Sequence, residues 1–236
     1  MAGMKRFGMG VGLMLMAALL FFAMAYPSVL IRYRLTLEVE QNGQLRTGSG
    51  VIQVIYRKNI QILGASAQIL MEARGDAISV DLGPGDTLFA LLTKGRHPRS
   101  APEDLLPVLF GVTEVGFGPE VFGRIGALEG EREVPLDLLP LMVRLPNTND
   151  PKSAALFMPP GGQPPNQDLI LRRAVIDIVS SGVWPLSLMG ITGSPVTRGI
   201  HKKLPWLEGF KGYSGGQLHP IWSQPEKNLT GIDFSQ

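Results

Sequence analysis

Residues 30–58 read LIRYRLTLEVEQNGQLRTGSGVIQVIYRK, and this stretch decides the fold. Arg34, Thr36, Glu38 and Glu40 alternate with Leu35, Leu37 and Val39. That period of two sends successive side chains to opposite faces of a half-buried strand. Asn42-Gly43 supplies the two positive-φ residues of a type I′ turn. The return strand runs through Leu45 and Thr47 to Val51, Ile52, Val54, Ile55 and Tyr56, interrupted by Gly48-Ser49-Gly50. Glycine inside a strand gives up side-chain packing, so the interruption predicts a bulge or a close approach by another backbone.

Working outward toward the N-terminus, the hairpin is preceded by an apolar leader. Lys5 and Arg6 are followed by no charged residue from Phe7 to Ile31, and Arg32 and Arg34 close the run. About 20 apolar residues rising ~1.5 Å each span a ~30 Å hydrocarbon core. Residues 1–31 therefore predict a signal anchor. The alternative is a cleaved signal peptide, with a small-x-small site at Ala23-Met24-Ala25 that would leave Tyr26 first. A cleavable apolar core usually holds ~7–15 residues and this one is longer, which favours retention. Two cations on each flank nearly balance the positive-inside signal. The leader's position before a large polar domain sets the expected orientation: N-terminus inside, the rest in the periplasm of a bacterial inner membrane.

Toward the C-terminus, 29 glycines and 19 prolines favour turns over long helices. Residues 32–236 are expected to form one mainly β, α+β domain: antiparallel strands with a few short helices. A second strand pair is predicted from Ile60 to Ala73 and from Ala77 to Leu82, turning at Arg74-Gly75-Asp76. That triplet is ordinary turn chemistry rather than an adhesion signal. Gly83-Pro84-Gly85-Asp86 predicts another turn, with Asp86 as N-cap of the apolar segment Thr87–Thr93. Glu103–Gly111 predicts a short helix limited by Pro107. Asp104-Leu105-Leu106-Pro107 recurs as Asp137-Leu138-Leu139-Pro140, too little for a repeat architecture. Leu141–Leu145 reads as a strand and 146–167 as one long surface loop. Leu169–Ser180 reads as a strand pairing with Trp184–Ile191, and a helical turn is expected near Arg198–Leu204.

Charge excludes one class of function. There are 22 basic and 20 acidic residues, and the surplus of two is Lys5 and Arg6. The remainder is neutral, with no basic stripe interleaved with aromatics, so no nucleic-acid partner is expected. The absence of cysteine removes disulfides, thiolate metal sites and thiol nucleophiles together.

Asn149-Asp150-Pro151-Lys152-Ser153, Val196-Thr197-Arg198-Gly199-Ile200 and Leu204-Pro205-Trp206-Leu207 resemble a family of bacterial proteins without assigned activity. Those proteins also carry an apolar leader, a strand like Arg34–Val39 and a Gly-Ser-x-Val-Ile-like return, here Gly48–Ile52. The resemblance implies bacterial origin and an envelope location, and the loop at Leu145-Pro146 departs from its pattern.

Catalytic patterns are sparse. Gly212-Tyr213-Ser214-Gly215-Gly216 fits the Gly-x-Ser-x-Gly elbow, which would make Ser214 a nucleophile with His219 and Asp233 as partners. The elbow needs a strand before the serine and a helix after it, and the order Ser, His, Asp differs from that of α/β-hydrolases. A glycine turn is the simpler reading. His97, His201 and His219 lack metal-ligand spacing, so no metal site is expected. Gly48-Ser49-Gly50 lacks the Gly-Lys-Ser/Thr ending of a phosphate loop, and no cofactor is expected. Glu129, Glu131 and Glu133 read as a solvated acidic patch.

His201, Lys202 and Lys203, ahead of Trp206, form the candidate binding patch, cationic and aromatic, suited to lipid headgroups or an envelope protein. The competing reading has Trp206 and Leu207 capping the core while the lysines stay solvated. The expectation is therefore a membrane-tethered binding or scaffolding protein, with an exported serine hydrolase as the alternative.

Overall fold

The computed structural model describes residues 12, 14, 16–17, 21, 26–59, 69–112, 119–161, 167–183, 186–187, 191–210 and 234. It is a β-rich α+β fold built from two antiparallel sheets. β1 (Ser28–Gln41) and β2 (Gln44–Lys58) form the predicted hairpin, in continuous register from Ser28 opposite Arg57 to Gln41 opposite Gln44. Asn42 and Gly43 turn it with φ of 50° and 79°. β3 (Ile69–Arg74) flanks β2, and β9 (Leu169–Val179) flanks β1, followed by β6 (Glu131–Glu133) at the edge. The second sheet has the order β4 (Ile78–Gly83), β5 (Asp86–Ala90), β7 (Met142–Leu145), β8 (Ala155–Phe157).

The unbroken β1–β2 register settles the role of Gly48-Ser49-Gly50. No bulge is present against β1. Instead β4 passes over the strand at backbone contact. A Cβ on Gly48 would fall on the Ser79 carbonyl, and one on Gly50 would meet the Ile78 side chain and lie 2.8 Å from Thr197 Oγ1. The glycines therefore let the second sheet fold onto the first. The bulge in this sheet lies elsewhere, where β9 carries Arg172 as an extra residue opposite Glu38 and Val39.

Between the sheets, Tyr33, Leu35, Leu37 and Val39 from β1 pack with Val80, Leu82, Leu88 and Phe157 from the second sheet. Two helices close this core, α1 (Pro102–Leu109) and α2 (Pro119–Gly126). The predicted helix at Glu103–Gly111 is α1, and Pro107 lies inside it. Proline has no N–H to offer the carbonyl four residues back. That carbonyl, Glu103 O, instead accepts from the hydroxyl of buried Tyr56 at 2.7 Å, and Tyr33 donates to Pro102 O at 3.2 Å. Burial holds both phenols far above the ordinary tyrosine range, so they remain donors at all working pH.

Several expectations need correction. Arg74-Gly75-Asp76 does not turn a hairpin: β3 pairs with β2 and β4 with β5, so the triplet carries the chain from one sheet to the other. Asp86 is not a helix cap but the first residue of β5, and Thr87–Ala90 is strand. Both faces of β5 are covered, which gives a continuous apolar run that periodicity does not distinguish from a helix. The 146–167 loop contains β8, whose Phe157 is fully buried. β1 starts at Ser28, so Val29, Leu30 and Ile31 belong to the sheet and not to the leader. The neighbours of β9 are β1 and β6 among the described residues, and most of Trp184–Ile191 lies outside them. The expected helical turn is present as α3 (Ile200–Lys203). Among the described residues no helix is long and apolar enough to cross a membrane.

Stability measurements on designed variants check this account. Gly48→Ala should cost about 1–3 kcal/mol in denaturant unfolding, because the new Cβ overpacks against backbone. Gly161→Ala, with open space around the site, should change stability by less than ~0.5 kcal/mol. Tyr56→Phe should cost about 1–3 kcal/mol by leaving a buried carbonyl unpaired. The same change in a Pro107→Ala background should cost less, since the alanine N–H would restore the intrahelical donor; equal costs would refute the pairing.

Candidate functional site

The candidate patch sits where the chain returns across the second sheet. Residues 194–197 run along the first sheet: Ser194 N donates to Ser180 O (2.8 Å), Thr197 N to Val51 O (2.9 Å) and Val51 N to Thr197 Oγ1 (2.7 Å). Beyond the end of β3, Thr197 thus takes over the edge of β2. Gly199, at φ 105°, then turns the chain into α3. The first N–H of α3, from Ile200, donates to buried Asp76 Oδ2 at 2.9 Å. Asp76 N donates to Thr197 O (3.1 Å), and Arg198 Nη1 stands 4.0 Å from Asp76 Oδ1. Asp76 is therefore an internal fastening point, which removes the adhesion reading of its triplet on physical grounds.

α3 divides its residues by face. Ile200 and Leu204 are buried with Leu207 against Phe89, Val143 and Leu145 on the outer face of the second sheet. Phe234 completes this second core, edge-on to Phe89 and Trp206 at 5.9 and 6.0 Å, and its carbonyl accepts from Ala77 N at 2.7 Å. Trp206 is half-buried there, and its indole N–H donates to Thr148 O at 2.7 Å. The ring thus fastens the loop after β7 instead of standing in solvent. Lys202 and Lys203 are exposed, and Lys203 Nζ donates to Ser79 Oγ at 2.7 Å. His201 is half-buried, with Nδ1 enclosed and no hydrogen-bond partner among the described residues. The four predicted residues are therefore neighbours with different tasks. Trp206 belongs to the second core, and the surface keeps a basic rim of Arg198, Lys202 and Lys203 beside His201.

Two buried cations were not anticipated. Arg144 on β7 is 8% exposed, and its guanidinium holds two carboxylates at once. It reaches Asp86 Oδ2 at 2.6 Å and Asp168 Oδ1 at 2.6 Å. Asp168 lies just ahead of β9, and its carbonyl accepts from Asn42 N (3.2 Å). The trio ties the second sheet to the hairpin end of the first. The hydrogen bonds that Arg144 donates to Asp86 lead in raising its own pKa against the effect of burial. Burial alone would raise the Asp168 carboxyl, but bonding and charge from Arg144 hold it below the usual carboxylate value. The signal available in the sequence was one cation inside Met142-Val143-Arg144-Leu145.

Arg32, on the outer face, is the second. Its Nε donates to Gln53 Oε1 at 3.0 Å and Nη1 to Ser194 O at 2.8 Å, and burial lowers its pKa. Among the described residues these partners are neutral oxygens.

The acidic patch is solvated as expected, with Glu129, Glu131 and Glu133 all exposed. Glu131 and Glu133 flank Arg173 at 2.9 and 3.8 Å, and Arg172 meets Glu40 at 2.7 Å, all at the surface. Surface pairs of this kind contribute little, ~0–1 kcal/mol each. Ser214, His219 and Asp233 lie outside the described residues, so no triad geometry is available to weigh. Among the described residues no group of three His, Asp or Glu side chains is placed to hold a metal. Comparison with protein-family models, with curated proteins and with solved structures finds no match to this chain.

The Asp168 carboxylate gives a pH-dependent expectation. Its folded-state pKa is depressed, so the unfolded chain takes up the proton first as pH falls. The stabilisation is complete above the ordinary carboxylate range near pH ~4 and is lost as pH drops through the lower folded value. Asp168→Asn should lower stability at neutral pH and flatten the acid limb of a stability–pH curve. An unchanged acid limb would remove Asp168 from the clamp.

Proposed function

We propose that this chain is an envelope protein held in a bacterial inner membrane by its leader, with the β-rich domain in the periplasm serving as a binding or scaffolding module. One observation carries the tether. The described leader residues from 12 to 21 are helical, and Met14, Met16 and Phe21 are exposed, Met14 by 79%, instead of joining either core. The surrounding sequence has no charge from Phe7 to Ile31. Because Tyr26 is already in a bend and β1 starts at Ser28, the span is limited to residues 7–25. As a helix, those 19 residues would reach ~28 Å, close to the ~30 Å of the hydrocarbon core. A helix with such side chains in water exposes apolar surface that lipid would cover.

The module's contact is the basic rim of Arg198, Lys202 and Lys203 with His201. Lys203 bonds to Ser79, Ser79 lies on Gly48, and Gly48 pairs with Leu37, nine residues along β1 from Ser28. At ~3.3 Å per residue Lys203 stands about 30 Å from the point where the leader enters the sheet, and Arg198, which follows Thr197 at Val51 opposite Arg34, about 20 Å. The field of anionic headgroups is screened within ~8 Å at physiological salt. That separation favours an acidic surface on another envelope protein over the headgroups themselves.

Cell fractionation tests the tether. Full-length chain should stay with membranes through alkaline carbonate washing and become protease-sensitive only once the outer membrane is opened. Soluble full-length chain in the cytosol would overturn the reading, and a product beginning at Tyr26 would replace the anchor with a cleaved signal. For the contact, a photo-crosslinker at position 202 should give adducts of higher mass in intact cells, and Lys203→Glu with Arg198→Glu should abolish them. Adducts that survive both reversals would place recognition elsewhere.

A further inference from the structure

We propose that the loop after β9 is a second membrane contact, through Val183, Leu186 and Ile191, and that it seats the domain end-on upon the bilayer that holds the leader. The inference rests on the tether proposed above and adds the domain's orientation to it.

Position comes first. β9 runs antiparallel to β1, with Val179, its last residue, opposite Arg32. The loop therefore leaves the sheet at the same end where the chain enters from the leader. That end is fixed to the leader's exit by Lys58 N donating to Pro27 O at 3.1 Å, with β1 starting at the next residue. Whatever surface the leader crosses, this rim of the sheet is the part of the domain next to it.

Chemistry comes second. From Ile178 to Thr197 the sequence carries no charged residue. Val183, Leu186 and Ile191 are all exposed, Val183 by 68% and Ile191 by 63%. These side chains are held outward by a bonded frame. Ser194 N donates to Ser180 O (2.8 Å), Val183 N to Thr192 Oγ1 (3.0 Å), Ser187 N to Val183 O (2.8 Å) and Ile191 N to Leu186 O (3.1 Å). The Arg32 guanidinium clamps the neck through Ser194 O. Hydrogen bonds that tie Ser180, Val183, Leu186 and Ile191 into the loop, while its branched aliphatics face outward, suit the interfacial region of a bilayer, where unsatisfied backbone groups are costly.

The setting decides between lipid and protein as occupant. Arg57 and Lys58 end β2 at this same rim, exposed and placed for headgroups, although Arg57 also pairs with Glu72 at 2.6 Å. Cations flanking apolar side chains, beside an entering helix, match a membrane interface. The basic rim near α3, about 20–30 Å away, would then face the periplasm and remain open to a partner.

The chain has no cysteine, so single cysteines can report on each position in the full-length protein. Met14→Cys, Leu186→Cys and Gln44→Cys, each carrying an environment-sensitive fluorophore, would be placed in nanodiscs of phosphatidylethanolamine and phosphatidylglycerol. Substituting doxyl-labelled lipid should cause loss of fluorescence at 14 and 186 and none at 44, which lies at the opposite end of the hairpin. Loss at 14 alone, with 186 as bright as 44, would overturn this proposal and leave the tether standing. No loss at 14 would overturn the tether, and this proposal with it. Adding Val183→Asp and Ile191→Asp to the 186 reporter should abolish the loss there while thermal unfolding stays cooperative. Persistent loss in that folded variant would show that these aliphatics do not make the contact.

Discussion

β4 crosses the hairpin at backbone contact, and the architecture depends on that crossing. β4 lies over Gly48 and Gly50 so closely that a single Cβ would occupy the position of the Ser79 carbonyl. Close approach brings Ile78, Val80 and Leu82 onto the inner face of the hairpin and lets one continuous core form between the sheets. It also places Ser79 beside Lys203 and leaves Thr197 in reach of the β2 edge. The C-terminal segment thereby reaches from the first sheet to the outer face of the second. Side chains on β2 at these positions would force the sheets apart, and both cores would lose their geometry.

Polar groups hold this arrangement where apolar packing alone would leave it unspecified. Pro107 deprives α1 of one donor, and Tyr56 from the hairpin supplies the replacement, so a defect in the helix becomes its attachment to the sheet. Arg144 performs a similar task at the other end by holding Asp86 and Asp168 together. A buried ion pair adds little net stability compared with an apolar substitute, yet removing one partner is costly. The clamp is better understood as fixing which ends of the two sheets lie together. Asp76 does the same for α3, accepting the first N–H of the helix in a position sealed from water.

How much of this could be read from the chain varies with the kind of contact. The hairpin was legible because one face of β1 meets water, which writes a period of two into Arg34–Glu40, and Asn42-Gly43 admits few other conformations. β5 was misread for the opposite reason: with both faces covered, Thr87–Ala90 shows no alternation. β3 and β4 are adjacent in sequence and belong to different sheets, a choice that no local pattern at Arg74-Gly75-Asp76 encodes. Within the candidate patch, the lysines behave as solvated cations while Trp206 turns inward, and the decisive partner, Phe234, is 28 residues further along.

Sequence alone determined what depends on neighbours along the chain: the alternating strands, the tight turn, the uncharged leader and the need for glycine at 48 and 50. Each is a local rule of backbone sterics or of transfer from water. Tertiary structure decided what depends on distant partners: the approach that those glycines serve, the donor that compensates Pro107, the two carboxylates gathered by Arg144, and the end of the sheet shared by the leader and the loop after β9. Such pairings arise only when sheets pack, because the energy of a buried polar group is set by whatever the fold brings within hydrogen-bond distance of it.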